Sequence, residues 1–172
     1  MQNTDLIIPD FYWRYVEPIY EMPLFSALED SEKRFDDTIQ GFTEEQGLYR
    51  YQPEKWTIKE VVAHVLDTER IMAYRALRFA RNDQTPLAGF EEKEYAPEAN
   101  ANGRDFASFR NEFKNLRRST VDLFRSFTEE MMNRTGTANS NTLSVQALGY
   151  IIAGHMVHHC NILIERYRPG LQ

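Results

Sequence analysis

Apolar residues recur at helical spacing in four long stretches of the chain, and strand-like alternation is largely absent. This pattern predicts helices over 23–40, 57–81, 104–127 and 144–167. Amphipathic helices of this length bury their apolar faces most simply against one another, which predicts an all-α fold, a four-helix bundle. We expect residues 1–172 to form one domain, since that length can bury a sizeable core.

The ends of these stretches carry residues that start and stop helices. Pro23 suits a first helical turn, Thr57 and Glu60 have the spacing of a capping box, and Ser144 is a favourable N-cap residue. Shorter helical turns are expected at 43–46 and 128–131. The boundaries therefore agree with the periodicity.

The connection between the second and third predicted helices, residues 82–103, is about 20 residues long. A simple antiparallel turn needs far fewer residues. We therefore predict a crossover connection that skips a neighbouring helix, with this segment packed over one end of the bundle.

Composition excludes several classes of protein. A net charge of −6 without a basic stripe argues against nucleic-acid binding. No run approaches about 18 uninterrupted apolar residues, so no membrane span is expected. Cys160 is the only cysteine and the start of the chain does not read as a signal peptide, so we expect a cytoplasmic protein.

The four histidines carry the candidate chemistry. His155 and His159 are four residues apart, so both rings lie on one face of a helix and can reach one metal ion. On a helical wheel they interrupt the apolar stripe that contains Leu148, Ile151 and Ile162. His158 lies about 100° away from His159 and is expected outside the site.

His64 is the candidate third ligand from a different helix. It lies at the edge of the apolar face of the second predicted helix, in a polar sector that also contains Asp67 and Arg75. Three imidazoles leave open positions on a divalent ion. Asp67, one turn beyond His64, could accept a ring N–H from it or lie near the cavity.

Other interpretations of these residues stay open at this stage. His155 and His159 could be hydrogen-bonded core residues, although two buried imidazoles need partners for four nitrogens. His64 could be structural, and Cys160 is expected to be a packing residue. Phosphate-binding loops, nucleophile elbows, His-Glu-x-x-His and the paired Glu-x-x-His of di-iron bundles are absent, so three histidines fit a mononuclear site best.

The chain resembles the DinB-like (DinB/YfiT) family in its second and fourth helices. The similar segments are 55–69, which contains Trp56 and His64, together with 73–81, 150–159 and 164–167. This resemblance implies a bundle with crossover topology, a divalent-metal site at His64, His155 and His159, and a homodimer. Some members of the family are thiol S-transferases that use bacillithiol or mycothiol, and the fold is similar to the metal-binding domain of mycothiol-dependent maleylpyruvate isomerase.

Two hypotheses of function follow. The first is a metalloenzyme acting on a small-molecule substrate, either a thiol S-transferase with a low-molecular-weight thiol as co-substrate or a hydrolase. Zinc is the default metal, with nickel or iron as alternatives. Asp67 is a candidate for proton handling, and Arg75 for an anionic substrate group. The second is a non-catalytic, dimer-forming stress protein whose ion is structural, which a fourth ligand such as His158 or Asp67 would support.

Overall fold

The computed structural model describes residues 6–171, which form a mostly helical protein with one small hairpin. The elements in chain order are α1 (Asp10–Val16), α2 (Leu24–Ile39), α3 (Ile58–Ala80), α4 (Glu92–Glu98), α5 (Phe106–Arg125), α6 (Glu129–Asn133), β1 (Thr135–Ala138), β2 (Asn141–Ser144) and α7 (Val145–Ile162). The four long helices α2, α3, α5 and α7 are the four predicted ones, with ends within a few residues of the expected positions. A π-helical turn, Leu163–Tyr167, continues α7.

The predicted caps of α3 and α7 are present. The Thr57 hydroxyl accepts a hydrogen bond from the Glu60 amide, and the Glu60 carboxylate accepts one from the Thr57 amide at 2.8 Å. The Ser144 hydroxyl accepts a hydrogen bond from the Ala147 amide. These bonds satisfy backbone donors that have no partner within the helix, and so fix where both helices begin.

The core consists of two apolar clusters, one in each half of the bundle: the first contains Leu28, Phe79 and Leu148, and the second contains Phe35, Val62 and Phe109. The helices α2 and α7 begin in one cluster and end in the other, whereas α3 and α5 run in the opposite direction. Three buried polar residues, Ser31, Glu69 and Arg117, lie at levels between the clusters. Two of the histidines, His64 and His155, are also buried, but cluster residues flank them along their helices.

The helices are not packed in chain order. α7 packs against α2 and α3, and α5 packs against the same two helices, so α2 and α3 lie diagonally across the bundle. The predicted crossover topology is confirmed. The prediction that the connection at 82–103 skips a neighbouring helix is wrong, because it joins α3 to a direct neighbour, α5, which runs parallel to it. The chain needs about 20 residues there because it must return along the length of the bundle.

The sequence did not predict the short helices α1 and α4 or the hairpin of β1 and β2. The helix α1 packs against α7. The strands β1 and β2 form an antiparallel hairpin, and Leu87 adds a parallel bridge to Ala138. Asn139 and Ser140 turn the hairpin with φ values of 49° and 60°, a conformation typical of two-residue hairpin loops and favoured by Asn.

The central helix α7 is the most apolar element. Together with the turns that follow it, Val145–Leu171, it is the one described helix that is long and apolar enough to cross a membrane. Of its most apolar stretch of 18 residues, 72% is buried inside the protein, and α1, α2 and α3 all pack against α7. The position of α7 in the core therefore accounts for its hydrophobicity, because a helix surrounded by other helices is apolar on all its faces.

Candidate metal centre

Three of the four histidines meet between α3 and α7. The Nε2 atom of His155 lies 3.1 Å from Nε2 of His64 and 3.1 Å from Nε2 of His159. One nitrogen from each ring lies within 4.8 Å of the other two, and in the described part of the chain no other His, Cys, Asp or Glu belongs to this group. The histidines that the sequence singled out as a set are thus brought together.

These distances fit a shared ion. Two nitrogens bound at about 2.05 Å in a tetrahedral site lie roughly 3.3 Å apart. The observed separations of 3.1 Å require little adjustment to reach that value. The donor set also fits, because three imidazoles suit zinc and its neighbours in the first transition row and leave a position open.

The electrostatics of the cluster keep the rings neutral. Burial lowers the pKa of His64 to about 4. Burial, and then the neighbouring imidazoles, hold the pKa values of His155 and His159 well below their usual range. A neutral imidazole offers the lone pair that a metal ion requires, so the three side chains are in the ligand-competent state near neutral pH.

Aromatic rings hold the cluster in place. Trp56 packs against His64 with ring centroids 4.9 Å apart, and Tyr15 of α1 meets the His155 ring edge-on at 5.3 Å. The Nδ1 atom of His159 is buried without a hydrogen-bond partner among residues 6–171. Packing, rather than a polar second partner, therefore orients the His159 ring.

His158 and Cys160 lie outside the cluster. The His158 ring packs edge-on against Tyr15 at 5.0 Å and against His159 at 5.2 Å. Cys160 is buried in the second apolar cluster, where burial raises the pKa of its thiol to about 11. A thiol of that pKa is a packing residue rather than a nucleophile, as expected.

The two further candidates occupy different surroundings. Asp67 is only half-buried, its Oδ1 atom lies 3.5 Å from Arg70 Nη1, and no hydrogen bond joins it to His64 within the described chain. The structure therefore does not bring Asp67 to the cluster. Arg75 is buried and lines a cavity of about 280 Å³ that also reaches His155.

The cavity contains a carboxylate that the sequence did not single out. Glu92, the first residue of α4, lines it and places Oε2 3.9 Å from His64 Nε2. Glu92 lies in a charged segment with Glu91, Lys93 and Glu94, so nothing in the sequence distinguishes it from its exposed neighbours. The long connection after α3 brings it to the site.

Comparison of the sequence with known protein families identifies the family of this chain. Residues 27–163, most of the chain, match the profile described as the DinB superfamily. The chain belongs to the DinB superfamily. The resemblance seen in the second and fourth helices is therefore confirmed, and the matched region contains His64, His155 and His159.

Two individual proteins can be compared with this DinB-superfamily chain. A protein of Oceanobacillus iheyensis named "Putative metal-dependent hydrolase" is 24% identical over 146 residues, which cover 84% of this chain and 82% of that protein. The solved structure of YfiT from Bacillus subtilis, described as "a probable metal-dependent hydrolase with an unusual four-helix bundle topology", matches with a TM-score of 0.76 at 16% identity. The matched region covers 99% of this chain and 93% of YfiT, so the two proteins share a fold.

Proposed function

We propose that this protein is a metal-dependent hydrolase in which His64, His155 and His159 hold one divalent cation, zinc by default. The observation that carries the proposal is the convergence of three neutral Nε2 atoms beside a cavity large enough for a small molecule. The names of the two compared proteins support the same class of reaction.

The cation, when bound, lowers the pKa of a water and polarises the bond to be hydrolysed. Side chains of this protein position the ligands and accept the proton. Tyr15 and Trp56 fix the rings of His155 and His64 and exclude bulk water from their far sides. Glu92 Oε2, 3.9 Å from His64 Nε2, is placed to accept the proton that the attacking water loses.

The alternative hypotheses differ from this one in what the site must contain. Thiol S-transfer needs a low-molecular-weight thiol beside the cation, and it rests on the family resemblance alone. A structural ion needs a fourth protein ligand. His158 and Asp67, the residues named for that position, are not part of the cluster, which favours an open site.

Other features remain predictions. Nickel or iron could replace zinc, since three imidazoles bind each of them and availability decides. We keep the predictions of a homodimer, a cytoplasmic location and a small-molecule substrate, which follow from the family resemblance and the composition.

Metal analysis of untagged protein tests the proposal. We expect about one equivalent of metal per chain in the wild type, near-complete loss in His155→Ala and His159→Ala, and retention in the matched control His158→Ala. Stoichiometric metal unchanged in both ligand variants would contradict the site.

Activity assays separate the candidate reactions. A panel of activated esters, anilides and phosphodiesters is incubated with native, chelator-treated and zinc-restored protein, with and without bacillithiol and an electrophile. Hydrolysis without thiol that is lost on chelation and restored by zinc supports the proposal. Turnover only in the presence of thiol would assign the transferase instead, and X-ray absorption showing four protein ligands would assign a structural ion.

A further inference from the structure

The Arg75 guanidinium is buried inside the protein without a carboxylate partner. Arg75 is 3% exposed, and in the described chain no Asp or Glu oxygen lies within ion-pairing distance of its guanidinium. Its neighbours are neutral: the Ala88 carbonyl accepts a hydrogen bond at 3.1 Å, Met72 Sδ lies at 3.6 Å, the Tyr12 hydroxyl is adjacent and the Phe90 ring centroid is 6.0 Å away. Five N–H donors are thus only partly used.

A second buried arginine in the same protein shows the contrast. Arg117 makes two hydrogen bonds to the Glu69 carboxylate, at 3.0 and 2.8 Å, and two more to the Leu28 carbonyl and the Ser31 hydroxyl. That arrangement is what a structural buried arginine requires. Arg75 lacks it, although both residues belong to the bundle interior.

The surroundings of Arg75 are those of a ligand cavity. The guanidinium lines the cavity of about 280 Å³, at the small end of the range for ligand sites. Thr68, which is 4% exposed, lines the same cavity, and its hydroxyl is buried with no hydrogen-bond partner in the described chain. A cation and a free hydroxyl on one wall are complementary to an anion.

The positions along α3 relate this wall to the histidines. His64, Thr68 and Arg75 are spaced by four and seven residues, so their side chains lie on one line along the helix. The rise from His64 is about 6 Å to Thr68 and about 16 Å to Arg75. The arginine side chain points back toward the start of the helix, which shortens the distance from its guanidinium to the cluster.

We infer that the substrate is a small monocarboxylate with an apolar or aromatic body, bound with its carboxylate on Arg75 and Thr68 and its reacting bond toward His155. The planar guanidinium matches a carboxylate in a two-bond geometry. The body of the ligand would contact Phe11, Tyr12 and Phe90, which line the cavity. This inference rests on the proposed function for the position of the reacting bond.

The charges at the cavity favour a single negative charge on the ligand. Arg14 and Arg75 line it together with Glu91 and Glu92, so their formal charges cancel, and the two carboxylates repel a doubly charged group such as a phosphate monoester more than a singly charged one. The exposed Arg14 donates to the Tyr15 hydroxyl, so the buried donors of the cavity are the Arg75 guanidinium and the Thr68 hydroxyl. One guanidinium and one hydroxyl satisfy a carboxylate, whereas phosphate sites usually bring more donors together. A carboxylate is therefore the anion that this wall fits.

Calorimetric titration with matched probes tests the inference. The probes are 3-phenylpropionate, its neutral amide and phenyl phosphate, and each is titrated into the full-length protein, both metal-loaded and chelator-treated. We expect the wild type to bind the acid at least about tenfold more tightly than the amide or the phosphate in both forms. Equal binding of acid and amide, tighter binding of the phosphate, or no measurable binding of the acid would each overturn the inference.

Variants assign the preference to Arg75. Arg75→Gln should abolish the preference for the acid, whereas Arg70→Gln, which removes the same charge from an exposed position on the same helix, should keep it. Thr68→Val preserves shape and should weaken acid binding even if Arg75→Gln does not fold. A folded Arg75→Gln protein with the wild-type preference would overturn the assignment. If the protein prefers the acid but binds no metal at the histidines, this inference stands and the proposed function fails. If it binds metal there but shows no preference for the acid, the proposed function stands and this inference fails.

Discussion

Gly154 of α7 lies directly against the backbone of Tyr15 at the end of α1. A Cβ atom at position 154 would lie 1.9 Å from the Tyr15 carbonyl oxygen, a distance that no side chain can occupy. The close approach places the Tyr15 ring edge-on to His155 and His158. A glycine next to a candidate ligand thus fixes the helix that covers one side of the site.

Gly154→Ala should therefore displace α1. Alanine favours a helix over glycine by about 1 kcal/mol, but the clash is with backbone and cannot be relieved by a rotamer change, so we expect a net loss of about 1–3 kcal/mol. Chemical denaturation measures this free energy of unfolding. Gly41→Ala is the control, because the one close contact of its Cβ would be the flexible end of Arg168, while the Thr38 carbonyl oxygen would lie at 3.4 Å. Equal stability of the Gly154→Ala protein and the wild type would contradict the packing.

Glu69→Gln should be among the most destabilising single changes in the bundle. It leaves the Arg117 guanidinium buried beside a neutral amide, which costs about 3–5 kcal/mol. Replacing both partners by Glu69→Leu with Arg117→Met should recover most of this loss. Asp37→Asn, which breaks an exposed pair with Lys33, should leave the free energy of unfolding almost unchanged. A Glu69→Gln protein as stable as the Asp37→Asn control would contradict the argument.

This buried pair also shows where the sequence stops being informative. Hydrophobic periodicity located the four helices and their caps, and the wheel placed His64, His155 and His159 on inward or cavity-facing positions. Periodicity cannot show that a charged residue such as Arg117 lies on the buried face when its partner, Glu69, is 48 residues away. Their pairing exists only once α3 and α5 are packed side by side.

The rest of the candidate site depends on tertiary placement in the same way. The helix α1 is seven residues long and aromatic, too short for its period to be recognised, although it lines the cavity. Glu92 reaches His64 only because α3 and α5 run parallel and the chain must return between them. The direction of the bundle helices is not encoded in any local pattern, so neither contact could be predicted.

Zinc should stabilise the folded protein if the three histidines bind it. At a free concentration about 100 times the dissociation constant, binding contributes about 2.7 kcal/mol, which raises Tm by about 5–10 °C in a protein of this size. Differential scanning calorimetry with and without chelator measures the shift. His159→Ala should abolish it and His158→Ala should preserve it. A shift of the same size in the His159→Ala protein would place the ion elsewhere.

Cys160 should be unreactive in the native state. It is 3% exposed, and burial raises the pKa of its thiol to about 11, so both access and thiolate content are low. Labelling with a chromogenic disulfide reagent should proceed only as fast as the protein unfolds, and should become rapid in guanidinium. Ser119→Cys adds an exposed thiol as an internal reference. Labelling of both thiols at similar rates under native conditions would show that the second apolar cluster opens readily.

Glu92→Gln distinguishes a proton acceptor from a metal ligand. Its Oε2 atom lies 3.9 Å from His64 Nε2 but is not within reach of the whole histidine cluster, so we expect metal content to be unchanged and turnover to fall by about 10²-fold. Glu94→Gln, on the same short helix, should affect neither quantity. Metal analysis and initial rates on the same samples provide the two readouts. Loss of metal from Glu92→Gln would instead make Glu92 a fourth ligand, close the site and favour a structural ion, because an open position is what separates a catalytic ion from a structural one.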